Sequence, residues 1–390
     1  MVISGESSNT LSDASTLNTL DGYTTGTVNA GSLTTVKGDL SDLLTAYASN
    51  GITGLGNEAI TLDDTSSVSS TDLNTLDSKT SGDITTHSSL ATLTGTVAEL
   101  NEAFGSEGST ALGNEAVTVT DTTLDARDLN VLNNYTTGLV TASAATTLRG
   151  TLADVNEAYA AVAVSGDAIT GLANEAVELT DTRVLAADLK TLNTKTTGTI
   201  DASTISVIEG TASDVNTVYD AAGATGDKIS GLGSEEITLT DTTVSATALR
   251  NIYLDGSTVR NSGTIDASSV HTISGSGTTI SIANTVYASG RFTGLGSENI
   301  TITDQGASGA GNGVSVSDLN TLNGYTTGNV NAGTITFLEG SISNLNTAYA
   351  ATSALGNGIS GLANETVTIT DSSSICLLYT SDAADDLLCV

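Results

Sequence analysis

The chain has 390 residues, with 44 acidic and 11 basic side chains giving a formal net charge of −33, and 41 Gly against no Pro or Trp. An aromatic share of 3% excludes ordinary large cores, because aromatic side chains supply much of the apolar area buried there. The acidity excludes nucleic acid and anionic lipid as partners, because both repel such a surface.

No run approaches the roughly 20 apolar residues that span a bilayer, so membrane insertion is not expected. Met1 to Glu6 lack the charged start and apolar stretch of a signal peptide. From about Leu11 the chain repeats itself. The first predicted helix type is Thr71–Leu76, introduced by Ser69 with Asp72, and Ser315 with Asp318 repeats that pair. A Thr-Gly turn follows (Gly82, Gly138, Gly198, Gly328), leading into a β-type run such as Thr199–Ser203. A further apolar run, Leu90 to Leu93, ends at a Gly.

The second helix type is Thr96–Phe104. Thr96 with Glu99, Thr151 with Asp154 and Thr211 with Asp214 have capping-box spacing, and Val97, Leu100 and Phe104 share one face. Tyr47, Tyr159, Tyr219, Tyr287 and Tyr349 stand at the Phe104 position. One anchoring aromatic per period is the expectation, with a carbohydrate-stacking row as the alternative.

A [Gly/Ala]-Leu-[Gly/Ala]-[Asn/Ser]-Glu signature closes each period at Glu58, Glu115, Glu175, Glu235, Glu298 and Glu365, in steps of 57, 60, 60, 63 and 67 residues. Six residues after each Glu stands an Asp: Asp64, Asp121, Asp181, Asp241, Asp304 and Asp371. No insertion falls in that interval, so it is geometrically constrained. Between them runs an alternating strand, typified by Ala116–Asp121.

Two half-repeats of strand and helix per period of about 60 residues cannot bury an apolar face alone and are expected to stack. The expected fold is an α/β repeat solenoid with short parallel strands and short helices over residues 1–371, and a parallel β-helix is the alternative. Strand spacing of about 4.8 Å against helix spacing of about 8 to 10 Å requires such a solenoid to curve or to set its helices on alternating sides.

Catalysis is not expected. The two histidines, His87 and His271, stand at non-equivalent places with no recurring partner. Gly306–Gly313 is Gly-rich but lacks the Lys-Ser/Thr of a phosphate loop, and reads as an insertion. The calcium candidates are Asp121, Asp181, Asp241 and Asp304 with Glu115, Glu175, Glu235 and Glu298, since aligned rows of hard oxygens suit that ion. The competing reading is that Asp121 and its equivalents cap the following turn through side-chain-to-backbone bonds. Thr-x-Thr pairs such as Thr118 with Thr120 would suit an ice-binding face, but Asp63 and Glu178 interrupt the column.

The motifs DLNTL, TTGTV[DN]AS, LTGT[LV]A[DE][LV]N and GLGNEA[IV]T[LV]TDT resemble the long repeat arrays of large cyanobacterial and other marine bacterial surface proteins, over about Leu11 to Asp371. The resemblance implies an extracellular or cell-surface, adhesin-like structural segment acting as spacer or stalk. A calcium-stabilised array binding glycans or another surface ligand is the alternative. The run Cys376–Asp386, CLLYTSDAADD, begins where the repeat stops and resembles a translated sequencing-library adaptor. Residues 372–390 are therefore expected to be a non-native or disordered tail.

Overall fold

The computed structural model describes residues 11–110, 112–162, 169–222, 228–275, 279–309, 311, 313–352 and 358–371, so the adaptor-like run Cys376–Asp386 lies outside the described residues. These residues form a mixed α/β arrangement of short strands and twelve short helices, with no closed barrel. They fall into two compact units. One comprises residues up to Ser206 with Thr217–Leu232, the other Val207–Asn216 and residues from Gly233 on.

The first unit shows how the chain is laid down. Ser67–Ser69, Thr92–Gly95, Ala116–Val119, Val140–Thr141 and Ile169–Thr170 make one sheet in that spatial order, every pair parallel. A second sheet runs Thr123–Asp125, Thr147–Gly150, Ala176–Leu179, Ile200–Asp201 and Ile229–Ser230. A third, Leu11–Asp13 to Ser109–Thr110, has the same plan. Each sheet thus takes strands of three, four, four, two and two residues, and the next begins before the last has ended. In the second unit Thr243–Ser245, Thr272–Ser274, Asn299–Thr301, Val330–Asn331 and Ile359–Ser360 repeat the order.

Burial alternates along these strands as pleating requires. Val117 and Val119 face inward, and Ala116 and Thr118 lie half-buried on the other face. The core is built of single buried aliphatic residues, Ile60, Leu93, Val117 and Leu148 among those on the strands and Leu73, Leu100 and Leu129 among those on the helices. That explains how so few aromatics suffice.

The helices form where expected. Ser70–Asp77 covers the first type, with the Ser69 hydroxyl accepting from the Asp72 N–H. Val97–Gly105 covers the second, and Thr96 and Glu99 complete a reciprocal capping box. Thr151 accepts from the Asp154 N–H and its hydroxyl donates to the Asp154 carboxylate, the shorter acid turning to the side chain. Three-residue strands before the first-type helices, such as Ser67–Ser69 and Thr123–Asp125, were not expected. The run Thr199–Ser203 is shorter than expected, a strand only at Ile200–Asp201.

Consecutive helices within each unit are neighbours, so alternation between two sides is not the device used. Asparagine joins them. The Asn101 side chain donates to the Asp128 carbonyl at 3.0 Å, Asn130 to Asp154 at 2.9 Å, and Asn320 to Asn344 at 2.9 Å. Each acceptor lies in the first turn of the following helix.

The most irregular period contains the helix Ala246–Tyr253 and a two-residue antiparallel hairpin, Leu254–Asp255 with Thr258–Val259. Here Asn261 replaces the usual Thr, and its side chain donates to the Glu235 carbonyl at 3.0 Å. The insertion thereby leaves the turn contact intact.

Candidate functional site

The two acidic rows end up at opposite ends of one strand. At the second signature Glu115 directly precedes Ala116–Val119, and Asp121 lies two residues beyond it. Strand geometry therefore separates the two rows rather than pooling their oxygens.

Glu58, Glu115, Glu175, Glu235 and Glu298 are all buried. A buried carboxylate needs donors, and the signature's own loop supplies them. The Gly233 and Ser234 N–H groups donate to Glu235, and those of Gly296 and Ser297 to Glu298, at 2.8 to 3.2 Å. Glu115 receives Gly113 and Asn114 in the same way.

The recurring tyrosine completes the arrangement. The Tyr47 hydroxyl donates to Glu58 at 2.8 Å, Tyr159 to Glu175 at 3.0 Å and Tyr287 to Glu298 at 2.6 Å. Burial, together with the adjacent carboxylate, pushes these phenols well above their ordinary range. At the last period, where Tyr349 is more exposed, the phenol is pushed up to about 12 by the same causes, burial first. The anchoring role is thus polar as well as apolar, with the ring packed and the hydroxyl committed to the Glu.

Each Glu also offers its backbone carbonyl to the next Thr-Gly turn. The Thr136 hydroxyl donates to the Glu115 carbonyl and Thr326 to that of Glu298, both at 2.7 Å. The glycine two residues on lies so close that a β-carbon at Gly138 would sit 2.2 Å from the Glu115 oxygen. Gly82, Gly198, Gly263 and Gly328 face the same obstruction at 2.0 to 2.2 Å.

The Asp row caps, but not the turn that follows it. The Asp121 carboxylate accepts from the Val97 N–H at 2.8 Å, Asp181 from Leu152 at 2.6 Å and Asp241 from Ala212 at 2.7 Å. Asp304 accepts from Ile280 at 3.3 Å. Each donor sits in the first two residues of a helix, 24 or 29 residues earlier in the chain than its Asp. The carboxylate satisfies an orphan donor and lies at the positive end of the helix dipole. Local spacing could not reveal a partner so far back.

Beyond the rows, the Thr96 backbone N–H, then the Thr71 and Thr96 hydroxyls, hold the Glu99 carboxyl below its usual range. Asp39 behaves oppositely. It occupies the N-cap position of Leu40–Ala48 without making the side-chain bond, and the charge of Asp64, then burial, raises it. The Nδ1 of His87 accepts from the Ser89 N–H, and His271 is exposed.

Two hollows accompany the Asp row. One of about 440 Å³ is lined by Ile280, Asp304, Gln305, Ser315 and Asp318, and one of about 400 Å³ by Leu40, Asp64, Ser69 and Asp72. Each lies between the starts of two consecutive helices. Among the described residues no three His, Cys, Asp or Glu side chains converge so as to hold a metal ion, and no helix is long and apolar enough to cross a membrane. The chain matches no family model, and no curated protein or solved structure is similar to it.

Proposed function

We propose that the chain is a structural repeat segment, an α/β solenoid acting as spacer or stalk in an extracellular, adhesin-like surface protein. The observation that carries the reading is the use of the recurring carboxylates. The Glu row is turned onto its own loop N–H groups and the tyrosine hydroxyls, and the Asp row onto helix starts. The Asp row joins each period to the one before it, and a period so joined is built for repetition. The acidic exterior keeps such a chain soluble and apart from its like. Catalysis has no corresponding support, since the recurring groups are engaged in holding the chain together.

A calcium-stabilised binding array for a glycan or other surface ligand is the second reading. It draws on the two hollows, where Asp64 with Asp72 and Asp304 with Asp318 line equivalent positions. Thermal unfolding in millimolar calcium and in EDTA separates the two. The spacer reading expects the same midpoint in both. A midpoint that rises strongly with calcium, and returns on chelation, would replace it with the array.

A further inference from the structure

The irregular period holds a cluster that the spacer reading leaves unused. Only 11 of the 390 residues are basic, yet three of the six arginines, Arg250, Arg260 and Arg291, fall in this one period. Local departures from the repeat put them there. Asp72-Leu73-Asn74, Asp128-Leu129-Asn130 and Asp318-Leu319-Asn320 become Ala248-Leu249-Arg250, which removes an acid and adds a base within three residues. Arg291 stands directly before its strand, where Gly51, Gly108 and Gly358 stand before theirs.

The fold brings Arg250 and Arg291 to one place. Arg250 lies three residues before Tyr253 on the helix Ala246–Tyr253, so the two are neighbours on its surface. Phe292, next to Arg291, packs edge-on against Tyr253 with ring centroids 5.7 Å apart. Burial, first, raises the Tyr253 phenol, and the Ser289 side chain and then the charges of Arg250 and Arg291 oppose that rise. Both guanidiniums are thus within electrostatic reach of one buried hydroxyl. Arg260, just past the hairpin, donates to the Asn251 carbonyl at 3.1 Å and brings a third cation to the helix that carries Arg250.

Neutral groups fix these side chains without cancelling their charge. Arg250 Nε and Nη2 both donate to the Asn251 Oδ1, at 3.4 and 3.1 Å, and Arg291 Nη1 donates to the Ser262 carbonyl at 2.6 Å. Lys37, by contrast, sits between Asp13 and Asp63 at 3.9 and 3.6 Å, as a base in so acidic a chain is expected to. Among the described residues neither Arg250 nor Arg291 has a carboxylate partner. A guanidinium carries five N–H donors, so Nη1 of Arg250 and the Nε–Nη2 edge of Arg291 are left over. Such an edge donates to a carboxylate through two parallel hydrogen bonds. Both side chains are half-buried, where partial exclusion of water strengthens the attraction.

We infer that Arg250 and Arg291 form a binding site for the carboxylate of a small acidic ligand, Arg291 holding it through the Nε–Nη2 edge and Arg250 through Nη1. The charge of the whole chain limits what can bind. At −33 it repels a polyanion, whereas a single carboxylate meets two local cations at little cost. A free carboxylic acid and an acidic sugar residue share that group, and differ in whether anything beyond it is recognised. The site goes beyond the spacer reading, which neither requires it nor fails with it.

The test follows the Nε–H signals of the six arginines in the full chain by nuclear magnetic resonance. Sodium glucuronate, sodium acetate or glucose is added, with sodium chloride holding the ionic strength constant. The signals of Arg250 and Arg291 should move saturably with glucuronate and stay still with glucose. If acetate moves them too, the carboxylate alone is recognised; if only glucuronate does, the ligand is an acidic sugar. Arg250→Asn and Arg291→Gly install what other periods carry at those places, so both should keep the circular dichroism of the parent. Each should weaken glucuronate binding about tenfold, as expected for loss of a charge-assisted hydrogen bond. No saturable shift with either acid, an equal shift of all six arginines, or undiminished binding in both variants would each overturn the proposal.

Discussion

At the scale of single residues, the buried glutamates settle what the acidic excess is partly for. Glu175 is almost wholly enclosed and accepts from the Ala173 N–H and the Tyr159 hydroxyl. A hydrogen bond to a buried charged group contributes more than a neutral one, and leaving its partners unsatisfied costs more still. Glu175→Gln keeps one acceptor and turns an amide toward the remaining donors. We expect it to lower stability by about 1–3 kcal/mol in urea unfolding, and Glu365→Gln, at the exposed end, to lower it less. An equal loss at both sites would mean that enclosure is not what makes the row matter. The capping boxes, the one-face leucines and the aromatic position were legible from spacing. The hydroxyl-to-Glu bond was not, because the ring and the acid lie 11 or 16 residues apart with a loop of variable length between.

At the scale of elements, the Thr-x-Gly turn is where helix, strand and neighbouring period meet. The sequence marks it with an invariable glycine position but does not say what presses on it. The structure supplies the reason, the Glu carbonyl 2.0 to 2.2 Å from where a β-carbon would stand. Gly138→Ala must therefore push the turn off the strand. It should lower stability by about 1–3 kcal/mol, measured as a shift in the urea midpoint, while the same change at Gly26, where a β-carbon would meet only the Thr24 hydroxyl at 3.4 Å, should leave the midpoint unchanged. Equal effects at both would show that backbone entropy, not the approach, governs the site. Element types were largely readable here because helices carry local signals at both ends and strands alternate. Which strands pair was not. Parallel partners 23 to 30 residues apart, and sheets that hand over to one another every five strands, leave no trace in local spacing. The asparagine links between helices escaped for the same reason, since Asn in DLNTL looks like any polar helix position.

At the scale of the whole molecule, the proposed spacer reading expects periods to be exchangeable. Residues 122–181 span one period from after one capping Asp to the next, so their removal joins Asp121 to Thr182 and restores the same sequence of contacts. The shortened chain should fold, keep its circular dichroism per residue, and lose stability only by the contacts of one period. Failure to fold would mean that the periods are not equivalent and that the chain depends on a particular order.

The capping aspartates carry one more implication, for the order in which the chain acquires structure as it is made. A helix such as Leu152–Ala161 has its local cap, Thr151, in hand at once, but its second cap, Asp181, arrives 29 residues later. At about 5–20 residues per second of synthesis, that is a delay of seconds, against roughly a microsecond for a helix to relax. The newest helix on a growing chain therefore waits half-finished until the ribosome has delivered the coil after it. Structure would advance along the nascent chain like a ratchet, each click locking the tooth before.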